Sequence, residues 1–569
     1  MRDKVAQLVA EALTAAVEAD EIALDPIPTV EVERPRDPAH GDWATNVALK
    51  SAKAAGMQPR VLAEAIAARM AAHPDIDGTP EVAGPGFINL RLSPAALQRV
   101  VTDVRSAGAA FGRVDLGGGK RVQVEFVSAN PVGPMHVGHG RWAALGDSMA
   151  RVLEHAGWQV QREFYVNDSG VQMDIFGASV AARYLEACGR EAAFPEEGYR
   201  GAYIAEVAAE IREQEGDALA GLPLPELAVR CRELGYALVL ENHLKRVLHG
   251  MGVDFDVWFS ERTLHAPGAN GGPSEIEQAI ARLRELGHIF EHEGAIWFRS
   301  TGFGDDKDRV LRKSDGEYTY FAADVAYHWD KFDVRGFDRV IDIWGADHHG
   351  YVARMKAAAA ALGHPGKLDL VIGQLVNLYR DGEAVRMSKR TGEMVTFEEL
   401  LDEVGADAAR YWFLRRSTDQ QVDFDIGVAK EQSAENPVYY VQYAHARICS
   451  ILRKAAGADT ADETVDIAAV APAGADLSLL AEDAELTLLR KLAELSEVVE
   501  LAARDLAPHK LTRFAEDLAA TFHQFYTVCK VVQPGQPDLT AARLALVDAT
   551  RIVLATTLGL LGVSAPERM

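Results

Sequence analysis

Apolar positions recur with period two from Arg121 to Phe126, where Val122, Val124 and Phe126 fall on one side, which predicts a strand. A loop rich in proline and glycine follows, Ser128 to Gly138. Leu145, Met149 and Leu153 then recur at helical spacing until Gly157, and Val160 to Val166 alternates again. Strand, helix and strand in this order predict a βαβ unit with a right-handed crossover. Before it, Val5, Leu8, Val9, Ala12 and Val17 predict a helix, Val30 to Glu33 a strand, and Leu62, Ile66 and Met70 a further helix. Asp42 is read as the N-cap of a helix carrying Trp43, Val47 and Leu49, and Gly86 to Leu92 alternates as a closing strand. These elements predict an α+β module over residues 1–100.

Residues 170–255 read as a helical insertion, with amphipathic stretches at 203–215 and 226–250. Alternating strands and helices resume near Ala295. Arg339 to Gly345 is predicted as a strand, Val352, Met355 and Ala359 mark a helix, and Leu368 to Tyr379 is strand-like before the Asp381-Gly382 turn signal. Beyond residue 400 the pattern is helical. Pro437 opens a helix with Val438, Val441, Ile448 and Leu452, residues 457–480 read as a loop, and three more helices carry Leu488 to Val499, Leu511 to Phe525 and Leu544 to Leu561. The fold class is therefore α/β: a Rossmann-like parallel-sheet domain over 115–400, an N-terminal α+β domain over 1–100, a connecting helical segment over 401–436 and an all-α bundle over 437–569.

Composition narrows this little. The chain has 569 residues, 48% hydrophobic and 25% charged, as in globular proteins. No apolar run reads as membrane-spanning, and Glu11 and Glu18 in the first helix differ from a signal peptide, so no membrane is expected. Cys188, Cys231, Cys449 and Cys529 are isolated, which fits a reducing cytoplasm. A net charge of −25 argues against indiscriminate nucleic-acid binding but leaves room for local basic patches.

Chemistry concentrates at the first strand-to-helix junction, His136-Val137-Gly138-His139. Ligands of open parallel sheets bind there, beside helix N-termini that attract phosphate. Two imidazoles can donate to phosphate oxygens, and Gly138 lets a flat base approach the backbone. A zinc pair would need a third ligand at metal spacing, and none stands nearby. Two helix-capping histidines are the other structural reading.

Met387-Ser388-Lys389, far along the chain, gives the four residues their company. Together the two stretches resemble the nucleotide motifs of class I aminoacyl-tRNA synthetases. Attack of a carboxylate on the α-phosphorus of ATP needs positioned donors rather than a protein nucleophile. His136, His139 and Lys389 are the expected catalytic donors, and Gly138, Met387 and Ser388 complete the expected ATP contacts. Arg386 stands where the family often has lysine. No large editing insertion separates the half-sheets, which suits a substrate whose buried hydrogen bonds reject analogues.

Within that class, GDWATNVAL, GFINLRL, EFVSANPVGPMHVGHGR, YVNDSG, WFSE, DGEYTYFAADVAYH, WGADHHGY, MSKRTG and NPVYYVQYAHARICSIL are similar to the arginyl-tRNA synthetase family over nearly the whole chain. The resemblance implies ligation of L-arginine to tRNA through an adenylate, with release of AMP and diphosphate. It implies that Asn130 and His139 hold the amino-acid end, and that Glu261, Tyr320 and Asp324 contact the guanidinium. A planar cation wants bidentate carboxylates and an aromatic or hydroxyl wall. His348, where other members carry an amide, is a further arginine contact. ATP with Mg2+ is the expected substrate complex, with no tightly bound cofactor, no metal site and a monomeric enzyme. The final bundle is the implied anticodon-binding domain, with Tyr439, Tyr440, Tyr443 and Arg447 as tRNA contacts. Two alternatives stay open: another HxGH nucleotidyl-transfer enzyme, and a non-catalytic tRNA-binding paralogue.

Overall fold

The computed structural model describes residues 1–380, 382–385, 395–460 and 464–569. Five parallel strands form its centre: β1 (Arg121–Glu125), β2 (Gln159–Val166), β3 (Val257–Ser260), β4 (Arg339–Gly345) and β5 (Leu368–Gly373), in the order β5-β4-β1-β2-β3. Strands progress one way from β1 to β3 and the other way from β1 through β4 to β5. The reversal between β1 and β4 opens a crevice at their carboxyl ends. Helix α1 (Val137–His155) crosses from β1 to β2, with Leu145, Met149 and Leu153 buried against the sheet.

The other side of β1 is not a solvated face. Gln123 and Glu125 are buried, as are Glu163 on β2 and Asp342 on β4. Helix α2 (Tyr320–Trp329) runs into a π-turn, Asp330–Val334, that sets Lys331 beneath the strands. Its ammonium donates to Glu125 at 2.6 Å and to Asp342 at 2.8 Å, while Arg335 pairs with Glu163. Burial would raise Asp342, yet Lys331 and His328 hold it well below the usual carboxylate range. Deleting one partner of such a cluster strands buried charge. Lys331→Met is therefore expected to destabilise the fold by about 3–5 kcal/mol, read as a lower urea midpoint; an unchanged midpoint would contradict this account of the cluster.

The N-terminal module departs from its expected elements. Trp43–Thr45 is a strand, paired with Phe87–Leu90, which also pairs with Glu81–Ala83. The helix starts later, Val47–Ala55, and Asp42 is no helix cap: its carboxylate accepts from the Leu92 N–H at 2.7 Å and from Arg490 at 2.6 Å. Val30 to Glu33 buries Val30 and Val32 but, among the described residues, forms only one bridge, Glu33 to Ala44. Arg34 with Glu497 and Arg2 with Glu500 fasten this module to the C-terminal helices.

The insertion consists of Val171–Ala187, Ala202–Glu215 and Leu224–Leu238, then a π-helical Val239–Lys245 and Arg246–Gly250, with its own core around Phe176, Ile204 and Leu227. Helix α3 (Val352–Ala361) precedes β5. The run from Leu368 to Tyr379 is two strands in two sheets. After β5, Val376–Arg380 pairs with Glu383–Ala384 across the predicted turn and, in parallel, with Val422–Asp425. That last strand interrupts the region expected to be purely helical.

The C-terminal bundle contains α4 (Pro437–Ala455), α5 (His509–Val528) and α6 (Pro537–Leu561). Between α4 and α5, the single helix expected over Leu488 to Val499 breaks at Glu494 into Asp483–Ala493 and Leu495–Arg504. Contrary to the sequence reading, α6 is long and apolar enough to cross a membrane. However, 72% of its most apolar window is buried in the protein, and Arg543 within it pairs with Glu485 at 2.7 Å.

Candidate active site

His136 is the N-cap of α1, so the capping alternative is realised in the fold. The Nδ1 of His139 accepts the His136 backbone N–H at 3.2 Å. With Nδ1 an acceptor, the neutral ring carries its proton on Nε2, as a donor. Capping thus sets the tautomer that a phosphate contact requires, and the two roles are compatible. The imidazoles stack with centroids 3.7 Å apart, and Trp142 meets both at steep angles. Gly138 lies against the His136 ring, where a Cβ would come within 2.9 Å of it.

Arg141 fixes the next part of α1. Its guanidinium is buried and donates to the Gln374 carbonyl at 2.7 Å and the Ser417 carbonyl at 2.9 Å; burial pushes it down to about 10. Met387, Ser388 and Lys389, with Arg386, lie outside the described residues. The chain just after them is placed at the histidines: Thr396 bridges His136, and the Phe397 N–H donates to the Met135 carbonyl at 2.9 Å. A Cβ on Gly140 would collide with the Phe397 ring, so only glycine permits this approach. Thr396 and Glu399 then form a capping box on the helix Phe397–Val404.

The second half of the site lies across the crevice, at the ends of β1, β2 and β3 and the start of α2. Val127 and Ser128 adopt φ of 69° and 42°, a left-handed turn costly for a β-branched residue. This turn ends β1 and lets the Ser128 hydroxyl donate to Glu125 at 2.9 Å and accept the Tyr165 N–H at 3.2 Å. Glu261 is buried just beyond β3 and accepts from Ser169 at 2.8 Å, with the His265 imidazole 3.6 Å away. Burial works to raise its carboxyl, but His265, Ser169 and Tyr165 bring it below the usual range. Asp324, one turn into α2, accepts from the Tyr351 hydroxyl at 2.7 Å. Burial raises Asp324 above the ordinary carboxylate range despite that bond, and Glu261 adds to the rise. Glu261 and Asp324 also act together on Tyr165, whose hydroxyl burial and the two carboxylates push up. Folding sets both acids beside this tyrosine: the Glu261 N–H donates to the neighbouring Val166 carbonyl at 3.0 Å, and the Tyr165 ring lies 4.7 Å from Tyr327, three residues after Asp324.

Of the other expected arginine contacts, Tyr320 opens α2 and is 72% exposed, its hydroxyl near Gly170. Asn130 is exposed and donates to Gln172 at 2.8 Å. His348 is exposed beside Asp347 at 3.3 Å, within electrostatic reach of Asp324. Tyr165, Ser169, His265 and Tyr351 were not singled out from the sequence, although Tyr165 opens YVNDSG and Ser169 lies within it. Asp168, from the same segment, accepts from Ser260 at 2.6 Å and so holds that loop to β3.

On α4, Tyr439 and Tyr443 stack at 6.0 Å, and Arg447 lies 4.6 Å from the Tyr526 ring of α5. His523 contacts Tyr440 and Tyr443. Tyr443 is exposed and Tyr439, Tyr440 and Arg447 are half-buried, whereas the core side of α4 takes Val438, Val441 and Ala444.

Family models match three stretches: "Arginyl tRNA synthetase N terminal domain" over residues 3–92, "tRNA synthetases class I (R), catalytic domain" over 101–196 and 272–450, and "DALR anticodon binding domain" over 441–569. The chain is 50% identical to the arginine–tRNA ligase of Heliobacterium modesticaldum, covering all of this chain and 99% of that protein. It is 48% identical to that of Moorella thermoacetica, covering all of this chain and 98% of the relative. The Thermus thermophilus arginyl-tRNA synthetase structure superposes over the full length of both chains with a TM-score of 0.73 at 24% identity, a likeness of fold.

Proposed function

Because the chain belongs to the arginyl-tRNA synthetase family and so ligates arginine to tRNA at the expense of ATP, we propose that the crevice between β1 and β4 holds the reaction, with ATP over α1 and the guanidinium between Glu261 and Asp324. The observation that carries this reading is the packing of Tyr165 between the two acids' elements: the Glu261 N–H donates to the adjacent Val166 carbonyl at 3.0 Å, and the Tyr165 ring lies 4.7 Å from Tyr327, three residues beyond Asp324. The arginine carboxylate attacks the α-phosphorus of ATP, which enters as its Mg2+ complex. The bond to the diphosphate oxygen breaks, leaving arginyl-adenylate. A terminal ribose hydroxyl of tRNA then attacks the acyl carbon, AMP leaves, and the hydroxyl proton is released. No protein atom is covalently engaged, so rate comes from donors aimed at the developing phosphate charge.

His136, Gly138 and His139 are assigned to ATP from one side, and Met387, Ser388 and Lys389 from the other. Support for the second group is the pairing of Thr396, seven residues beyond Lys389, with His136. Asn130 and His139 are assigned to the amino-acid end, and Tyr320 and His348 to the rim of the guanidinium pocket. Residues 1–100 and 437–569 are assigned as tRNA-contacting and anticodon-binding domains flanking the catalytic domain at 115–400. Tyr439, Tyr440, Tyr443 and Arg447 offer stacking faces and a cation for splayed bases, extended by His523 and Tyr526. The free, scattered cysteines suit a reducing cytosol.

Pyrophosphate exchange with each amino acid, with and without tRNA, tests the reading. Exchange restricted to arginine supports it, and exchange driven by another amino acid overturns it. A pH dependence follows from the opposed carboxyl shifts. In the free enzyme Asp324 holds its proton to higher pH than an ordinary carboxylate, while Glu261 is already ionised there. A bound guanidinium favours both anions, so below the raised Asp324 value binding must expel a proton. The KM for arginine is therefore expected to rise as pH falls through that window and to be flat above it. In Asp324→Asn this slope should vanish; a slope that persists in the variant would assign the titration elsewhere.

A further inference from the structure

Trp142 occupies a position that none of the roles above uses. Its indole packs where the ends of β4 and β5 come closest to α1: a Cβ on Gly345 would stand 3.1 Å from the ring, and one on Gly373 would stand 2.5 Å from its Nε1. Gly345 and Gly373 are register partners at the carboxyl edge of the sheet, so one side chain closes the gap left by two glycines. The same indole lies 5.9 Å from the His136 ring and 5.3 Å from the His139 ring, at interplanar angles of 77° and 72°. The two imidazoles are stacked, so nearly equal distances place the indole alongside the stack rather than on top of it. The indole N–H is buried with no acceptor among the described residues, a net cost to the fold. A phenyl ring would avoid that cost but presents a smaller edge to the two imidazoles.

We propose that Trp142 is a positioning residue for the nucleotide: it holds the His136–His139 stack against the strand ends and thereby fixes the direction of the imidazole donors. The inference rests on the reading that these histidines face ATP. It predicts an effect larger on ATP than on arginine, because Glu261 and Asp324 are held by Ser169 and Tyr351, not by the indole, and arginine is reached only through His139.

Steady-state pyrophosphate exchange in the presence of tRNA, varying ATP and arginine separately, tests it on the full-length protein. Trp142→Ala is expected to raise the KM for ATP about tenfold, and Trp142→Phe by less but more than about twofold, with a smaller rise in arginine KM, through His139, in both. The change in tryptophan emission on adding ATP should be present in the parent protein and lost in Trp142→Phe. If the alanine variant does not fold, the phenylalanine variant decides. An ATP KM within about twofold of the parent in the phenylalanine variant, an equal rise in arginine KM, or an undiminished emission change in Trp142→Phe would each overturn the proposal. A parent protein without arginine-dependent exchange would count against the reading of the site instead. The emission change, which needs only ATP, would still decide the role of Trp142.

Discussion

Asp324→Asn is expected to raise the KM for arginine from about thirtyfold to several thousandfold, the equivalent of about 2–5 kcal/mol for one lost charge-assisted bond in a desolvated pocket. The substitution preserves shape. Its side-chain oxygen can still accept from Tyr351, which holds Asp324 at 2.7 Å, and the backbone carbonyl still faces His328 Nδ1 at 2.8 Å. Helix α2 also keeps its Thr319 cap, whose hydroxyl accepts the Ala322 N–H. What changes is the charge facing the guanidinium, and one acceptor becomes a donor. The ATP KM should move little, since the histidines stand on a different element. An unchanged arginine KM would make Asp324 a structural carboxylate and reopen the substrate assignment.

Lys389→Ala is expected to slow adenylate formation by roughly 100- to 1,000-fold at saturating substrates, the scale of one removed preorganised donor. The motivation is its place in MSKRTG and the docking of the chain just beyond it, with Thr396 bridging His136 and Phe397 packed on Gly140. Because charge grows on the phosphate oxygens during attack, the loss should fall on the rate constant more than on ATP binding. Single-turnover formation of arginyl-adenylate with tRNA present measures it. A rate near that of the parent would remove Lys389 from the chemistry.

The βαβ unit, the helix junction at His136 and the helical C-terminal third were legible in the sequence because each rests on a local period. Failures came where neighbours decide. Trp43–Thr45 is too short a strand to alternate, and it exists because Phe87–Leu90 pairs with it. The run from Leu368 to Tyr379 is one apolar stretch, yet it changes sheets at Gln374, whose carbonyl is taken by Arg141 from α1. Alternation in β1 identified the apolar side but said nothing of Glu125, whose partner Lys331 is distant in sequence and ordinary until a π-turn buries it. The arginine pocket shows the same division. Glu261 and Asp324 come from resemblance, whereas their opposed carboxyl shifts depend on burial at Asp324 and on His265, Ser169 and Tyr165 around Glu261, which only the fold brings about.

The central claim is that Glu261 and Asp324 bind one guanidinium jointly. A double-mutant cycle on Glu261→Gln and Asp324→Asn, scored by kcat/KM for arginine and for citrulline, tests it directly. Two charges on one ligand should couple: the second substitution should cost less than the first for arginine, with an interaction energy of about 0.5–3 kcal/mol. Citrulline, which is uncharged, should show little loss and little coupling, so that the preference for arginine collapses in the double variant. Strictly additive losses of similar size for both substrates would contradict a shared guanidinium site.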